Sequence, residues 1–163
     1  MGSTLDDVKN AAAAEMNIVC SASAIKAAEY LKEKFGTPYE IEYPQSCLPE
    51  EIVQKADNFT DKNVLVIHNQ TAADAVRKLI TEKSGKCHCT SATFFMQKKE
   101  LLQQGDIFLA DESDLCDNVG DNYDVVIADK TLRRVMKNFS GEFIDFPHFG
   151  LSGRLLQGES EKI

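Results

Sequence analysis

A chain of 163 residues and 18.1 kDa, 43% hydrophobic and 27% charged, has the length and composition of one globular domain with a buried core. Its formal net charge of −8, with Lys and Arg scattered along the chain, excludes a nucleic-acid partner, which needs clustered cations. No apolar run approaches the roughly 20 residues of a bilayer span, which excludes a membrane role.

The opening segment MGSTLDDVKNAAAAEMN has aspartates where a signal peptide would be basic, and residues 1–16 read as an N-terminal extension. Five cysteines are an odd count, and Cys20, Cys87 and Cys89 fall in or beside apolar strand-like segments. That is the pattern of reduced, buried thiols, so a cytoplasmic setting is expected.

Residues 17–20 (NIVC) read as a strand. Residues 22–35 carry Ala24, Ala27, Ala28, Leu31 and Phe35 at helical spacing, and Gly36 stops that helix. Residues 39–43 (YEIEY) alternate as a strand that Pro44 ends. Pro49 opens a helix reaching about Ala56, with Glu50 and Glu51 at its positive end. The polar residues 57–62 form a short linker between two βα sub-units.

Residues 64–67 are a fully apolar strand, and Thr71 is placed to cap a helix over residues 72–84 that Gly85 closes. Residues 87–90 are the next strand, residues 96–104 a helix ended by Gly105, residues 107–109 and 125–127 two more strands, residues 132–136 a helix, and residues 143–146 the last strand. Strands alternating with helices imply parallel pairing, with helices covering both faces. The expected fold class is α/β: one Rossmann-like, three-layer α/β/α sandwich over residues 1–163, with a mostly parallel sheet.

In such sheets ligands bind beyond the carboxyl ends of the strands. Those ends present Ser21, His68, Asn69, Asp129, Pro147 and His148, which together make the candidate binding set. Several of these types also have local duties, since Asn69 and Asp129 suit turns and Ser23 and Thr71 suit caps. His148 has the strongest functional case, because a histidine between Phe146-Pro147 and Phe149 is partly desolvated and can ligate a metal or move a proton.

Other patterns carry less. Cys87-His88-Cys89 lacks the second ligand pair that a closed zinc or iron–sulfur site requires. Residues 106–129 hold eight acidic residues and no Lys or Arg, but not in the order of a calcium loop, so they read as a solvated loop and helix start. No glycine-rich dinucleotide loop, phosphate-cradling loop or nucleophile turn follows any strand. No catalytic residue is identified, and no metal is expected to be held by this chain alone.

Three segments taken in order resemble nitrogenase component 1-type oxidoreductases, the family of the molybdenum–iron protein, its cofactor scaffolds and the dark protochlorophyllide reductases. NIVCSASAIKAAEYLKEKFGTPYEIEYP resembles the family's strand, Ala-rich helix and short strand ending in Pro. NVLVIHNQTAADAVRKLITEKSG resembles the strand–helix opening of its third domain, and YDVVIADKTLRRVMKNFSGEFIDFPHFGLSGRL its closing strand–helix–strand and Gly loop.

The resemblance implies that this chain corresponds to the C-terminal portion of a three-domain protein. In that protein an iron–sulfur or related metallocluster lies at domain and subunit interfaces, and electrons arrive from an ATP-dependent iron–sulfur reductase. It implies a paired nitrogenase-like subunit as partner; a homodimer through an exposed apolar patch is the other option. Counting back from Ser152-Gly153, the family's cofactor-histidine position falls on Pro147, with His148 next to it. Cys20, read as lying inside its strand, is not carried over as a cluster ligand. The alternative function is a non-catalytic Rossmann-like binding or subunit-interaction module.

Overall fold

The computed structural model describes residues 4–119 and 122–153. Residues 1–3 of the extension, Asp121 of the acidic run, and Arg154 and Leu155 of the closing segment lie outside them. The chain builds its main sheet from the middle outward. β3 (Asn63–Ile67) is central; β4 (His88–Thr93) and β5 (Ile107–Phe108) extend the sheet on one side, and β6 (Val125–Ala128) and β7 (Glu142–Asp145) on the other. All four pairings are parallel, with Leu65 opposite both Thr90 and Val126, and Ile127 opposite Ile144.

Side-chain alternation along the two central strands sorts the core into two layers. Val64, Val66, Val125 and Ile127 pack toward α3 (Glu50–Lys55), the short 3₁₀ turn Ala56–Phe59 and α4 (Gln70–Ser84). Leu65, Ile67, Val126 and Ala128 pack on the opposite face, toward Leu115 of α5 (Glu112–Val119) and Leu132 of the 3₁₀ turn Lys130–Arg134. Each such apolar side chain stabilises the fold by about 1.5–3 kcal/mol on burial. The result is the expected Rossmann-like α/β/α sandwich around a parallel sheet.

The first two strands do not join that sheet. β1 (Asn17–Val19) and β2 (Tyr39–Ile41) pair in parallel as a separate two-stranded sheet, connected by α2 (Ile25–Phe35). Gly36, at φ 77°, ends α2 in the left-handed conformation that glycine tolerates best. Val19, Ile25 and Ala28 form a satellite core there, with Tyr39 and Leu101 packed against it. The extension preceding β1 contains a helix, α1 (Leu5–Asn10), capped by Thr4 and with no buried residue.

Several boundaries differ from the sequence reading for local reasons. Asn69, not Thr71, caps α4: its Oδ1 accepts from Ala72 N at 3.0 Å, and the helix begins two residues earlier. Residues 96–104 form only a 3₁₀ turn, Lys99–Leu101, because Gln70 captures both backbone groups of Lys98 (Lys98 N to Oε1 2.7 Å, Nε2 to Lys98 O 3.1 Å). A helix through Lys98 would need those groups. The helix expected over residues 132–136 is likewise only a 3₁₀ turn, Lys130–Arg134, started by Asp129. The linker 57–62 is largely the 3₁₀ turn Ala56–Phe59, with Phe59 fully buried. In the acidic run, Asp111 accepts from Ser113 N and Asp114 N and starts the full helix α5. Cys20, Cys87 and Cys89 are less buried than expected, the first exposed and the other two intermediate; Cys47 and Cys116 are also exposed. Among the described residues no helix is long and apolar enough to cross a membrane.

Candidate functional site at the strand ends

β3 and β6 are neighbours, yet the connections that leave them pack on opposite faces of the sheet. Their carboxyl ends therefore open a crevice at the point where the strand order reverses, the usual ligand position in this class of sheet. His68 and Asn69 leave β3 there, Asp129 leaves β6, and Pro147 and His148 follow β7.

His68 is 4% exposed, and its ring stacks on Phe146 (centroids 4.0 Å apart, planes at 20°). Its Nε2 lies 3.3 Å from Pro147 O, a contact that fixes the proton on Nε2 because a carbonyl only accepts. Nδ1 is then a buried lone pair, without a hydrogen-bond partner among the described residues. Burial, followed by the nearby His148 ring, pushes the His68 pKa from 6.5 down to about 3, against weaker opposite effects of Pro147 and Asp129. This imidazole is neutral throughout the physiological range.

The His148 ring meets His68 edge-on at 4.6 Å and stacks on Phe95 at 3.7 Å and 13°. Its Nδ1 accepts from Gly150 N at 3.1 Å, capping the short α6 (Phe149–Ser152), so the proton of the neutral ring sits on Nε2. Partial burial lowers its pKa, with Asp129 acting the other way. Three restraints thus bear on one residue: a ring stack, a fixed tautomer and a fixed backbone amide.

Asp129 supplies the last of these. It is 0% exposed. Its Oδ2 accepts from His148 N at 2.9 Å and Ser152 Oγ at 2.5 Å, and its Oδ1 from Thr131 N at 2.9 Å and Thr131 Oγ1 at 2.8 Å. Burial pushes this carboxyl up, but the hydrogen bonds from Ser152, His148 and Thr131 outweigh it and hold the pKa well below the usual carboxylate range. Asp129 is a buried pin that holds the loop.

The remaining candidates divide. Asn69 caps α4, and its Oδ1 also accepts from Thr71 Oγ1 at 2.8 Å. Thr71 Oγ1 reaches Cys20 O at 2.5 Å, which seats the end of β1 beside the start of α4. Ser21 caps the turn Ala22–Ala24 through Ser23 N at 3.4 Å and, among the described residues, has no hydrogen bond to either histidine. The sequence reading missed Phe95, which arrives from the loop after β4, and Cys20. Cys20 was placed inside its strand, but β1 stops at Val19 and the thiol belongs to the carboxyl rim. Partial burial, followed by the neighbouring Cys47 thiol, raises the Cys20 pKa. Ending the strand one residue earlier would have placed Cys20 beside Ser21 in the candidate set.

The histidine pair offers two neutral imidazoles, an aromatic wall and an unused buried lone pair, while the Cys20 thiol sits at the end of β1 in the small sheet and donates to Ile18 O at 3.9 Å. A thiolate and an imidazole are suitable ligands for iron or an iron–sulfur group. Among the described residues, no group of three or more His, Cys, Asp or Glu could hold a metal ion. Any metal group at this rim would need most of its ligands from elsewhere.

The fold places the chain with Rossmann-like α/β proteins. Among solved structures it is similar to a nitrogenase, described as "Nitrogenase Cp1 at pH 6.5", with a TM-score of 0.56 and 15% sequence identity over 89% of this chain. The chain spans only 41% of that protein's length. At this identity the likeness is one of fold. No protein-family model matches the chain, and no curated protein matches it significantly.

Proposed function

We propose that the chain acts as a domain of a nitrogenase component 1-like oxidoreductase, equivalent to that family's C-terminal portion. Its strand-end rim would help enclose a metallocluster or substrate site fed by an ATP-dependent iron–sulfur reductase. The observation that carries this reading is the meeting of His68 and the triply restrained His148 at the reversal point of a nitrogenase-like sheet.

Cys20 would be this chain's own ligand toward the group, as a soft thiolate, and His148 would donate a hydrogen bond to it from Nε2–H. His68 stands behind His148 as a second neutral ring; Asp129 and Phe95 fix the direction of His148. The bound group would supply electron storage, and the protein orientation and electrostatics. Remaining ligands would come from a paired subunit, in a cytoplasm that keeps thiols reduced.

The test is anaerobic isolation of the tagged chain from its own cells with its partners, followed by iron and acid-labile sulfide analysis. Iron and sulfide are expected in the complex, and Cys20→Ser or His148→Ala should lower both while leaving the partners bound. A complex without iron and sulfide, containing no reductase, would overturn the reading in favour of a non-catalytic subunit-interaction module.

A further inference from the structure

A cavity of about 480 Å³ separates the small sheet from the main one. One wall is β2 and the turn after it; the other is α4, whose residues Thr71, Asp74, Ala75 and Lys78 recur at helical spacing and so face the same way. The volume lies within the range of small-molecule sites. The cavity touches the strand-end crevice only through Tyr43, whose ring meets His68 edge-on at 6.5 Å, and Thr71.

The lining combines an apolar floor with unbalanced charge. Ala75 and Leu101 supply the floor; Glu40, Glu42 and Asp74 face a single cation, Lys78. Among the described residues, Glu40, Glu42 and Lys78 form no ion pair. Asp74 is only partly satisfied: its Oδ1 accepts from Arg77 at 3.0 Å and Gln103 at 3.2 Å, but Arg77 is shared with the more deeply buried Asp106. Burial raises the Asp74 pKa, Arg77 opposes this, and Asp106 adds to it. A cation arriving beside Asp74 would relieve that excess of negative charge.

We infer that this cavity is a binding site for a small organic amine, its ammonium seated among Glu40, Glu42 and Asp74 and its apolar body against Ala75 and Leu101. The site does not depend on the strand-end function proposed above, and ligand binding there needs no metal. Binding weakens in acid, because each carboxylate that gains a proton removes part of the attraction.

The experiment is a heteronuclear NMR titration of the purified chain with 2-phenylethylamine, with phenylacetate and 2-phenylethanol as charge controls. Saturable shifts are expected at Ala75 and Leu101 for the amine, with weaker binding of the alcohol and weaker still of the acid. Asp74→Asn and, separately, the exposed and structurally undemanding Glu42→Gln should each weaken the amine about fivefold, and Lys78→Gln should tighten it. His148→Ala should leave its affinity within about twofold, which separates this site from the strand-end one. Absence of saturable shifts, equal binding of phenylacetate, or an unchanged affinity in Glu42→Gln would overturn the inference.

Discussion

Replacing Asp129 by Ala should be among the most damaging single changes in this chain. The side chain is wholly buried and accepts from two backbone amides, Thr131 N and His148 N, and two hydroxyls, Thr131 Oγ1 and Ser152 Oγ. Hydrogen bonds to an ionised acceptor contribute about 1.5–3 kcal/mol each, but they are not additive within one network. Removing the acceptor leaves two buried amides unpaired, while the hydroxyls can turn to other partners. A loss of about 3–5 kcal/mol follows, a large share of the 5–15 kcal/mol of a typical domain. Asp129→Asn should cost about 2–3 kcal/mol, because whichever way the amide lies its NH₂ confronts Thr131 N or His148 N. Since the chain has no Trp, urea unfolding is followed by far-UV circular dichroism, with hydrogen exchange at the His148 and Gly150 amides as the local readout. The pH dependence adds a sign. The folded carboxyl titrates below its unfolded value, so its stabilisation is complete above about pH 4 and fades as the pH falls further. The gap between wild type and Asp129→Asn should therefore be flat from pH 5 to 8 and close in acid. A loss under about 1 kcal/mol for Asp129→Ala would refute the assignment of this residue as the pin of the loop.

His68 gives a second pH signature: the unfolded ring gains its proton near 6.5 and the folded ring only near about 3, so stability falls as the pH drops through that window, by up to about 1.4 kcal/mol per unit. His68→Phe should remove that slope in denaturation measured from pH 7 to 4. Phe146, fully buried against His68 and close to Tyr43, should cost about 3–5 kcal/mol on truncation to Ala and release the His148 loop in hydrogen exchange. Arg77, which joins Asp74, Asp106 and the Cys89 carbonyl, is a buried cation with a buried partner. Arg77→Met alone should cost about 3–5 kcal/mol by leaving the Asp106 carboxylate only the amides of Ser91 and Gln103, and the double change with Asp106→Leu should recover part of it in the same unfolding assay, the freed amides keeping the rest.

The parts of the fold that were legible in the sequence are those set by local pattern. Residues 64–67 and 125–128 are apolar at every position because both faces of their strands are covered, and α4 shows its period because one face meets the sheet. The misses are tertiary. Nothing near Lys98 indicates that Gln70, 28 residues away, will claim its backbone groups. Nothing in residues 17–19 or 39–41 reveals that these strands pair only with each other. At the site, Asn69, Asp129 and His148 could be found because each lies within three residues of the carboxyl end of a strand. Phe95 could not, since its contact with His148 depends on how the loop beyond β4 folds over the crevice. Cys20 was lost to a strand boundary misplaced by one residue.

The restraint on His148 deserves weight because it runs against what packing alone requires. A half-exposed histidine on a short loop normally keeps its rotamer freedom, and ordering such a ring costs free energy. Here Phe95 fixes the ring plane, Gly150 N the tautomer and Asp129 the backbone, and the three come from different segments of the chain. A loop that needed only to end β7 could do so with the Asp129 contacts. Fixing the plane and tautomer of the ring as well leaves Nε2–H, unengaged among the described residues, as the polar atom whose direction all three restraints determine. His68 reinforces this from behind: a second neutral ring lets His148 approach at 4.6 Å without charge repulsion, at the expense of a buried, unpartnered Nδ1. An arrangement that accepts an orphaned polar atom to hold another side chain still is the kind of local cost that folds carry at functional sites.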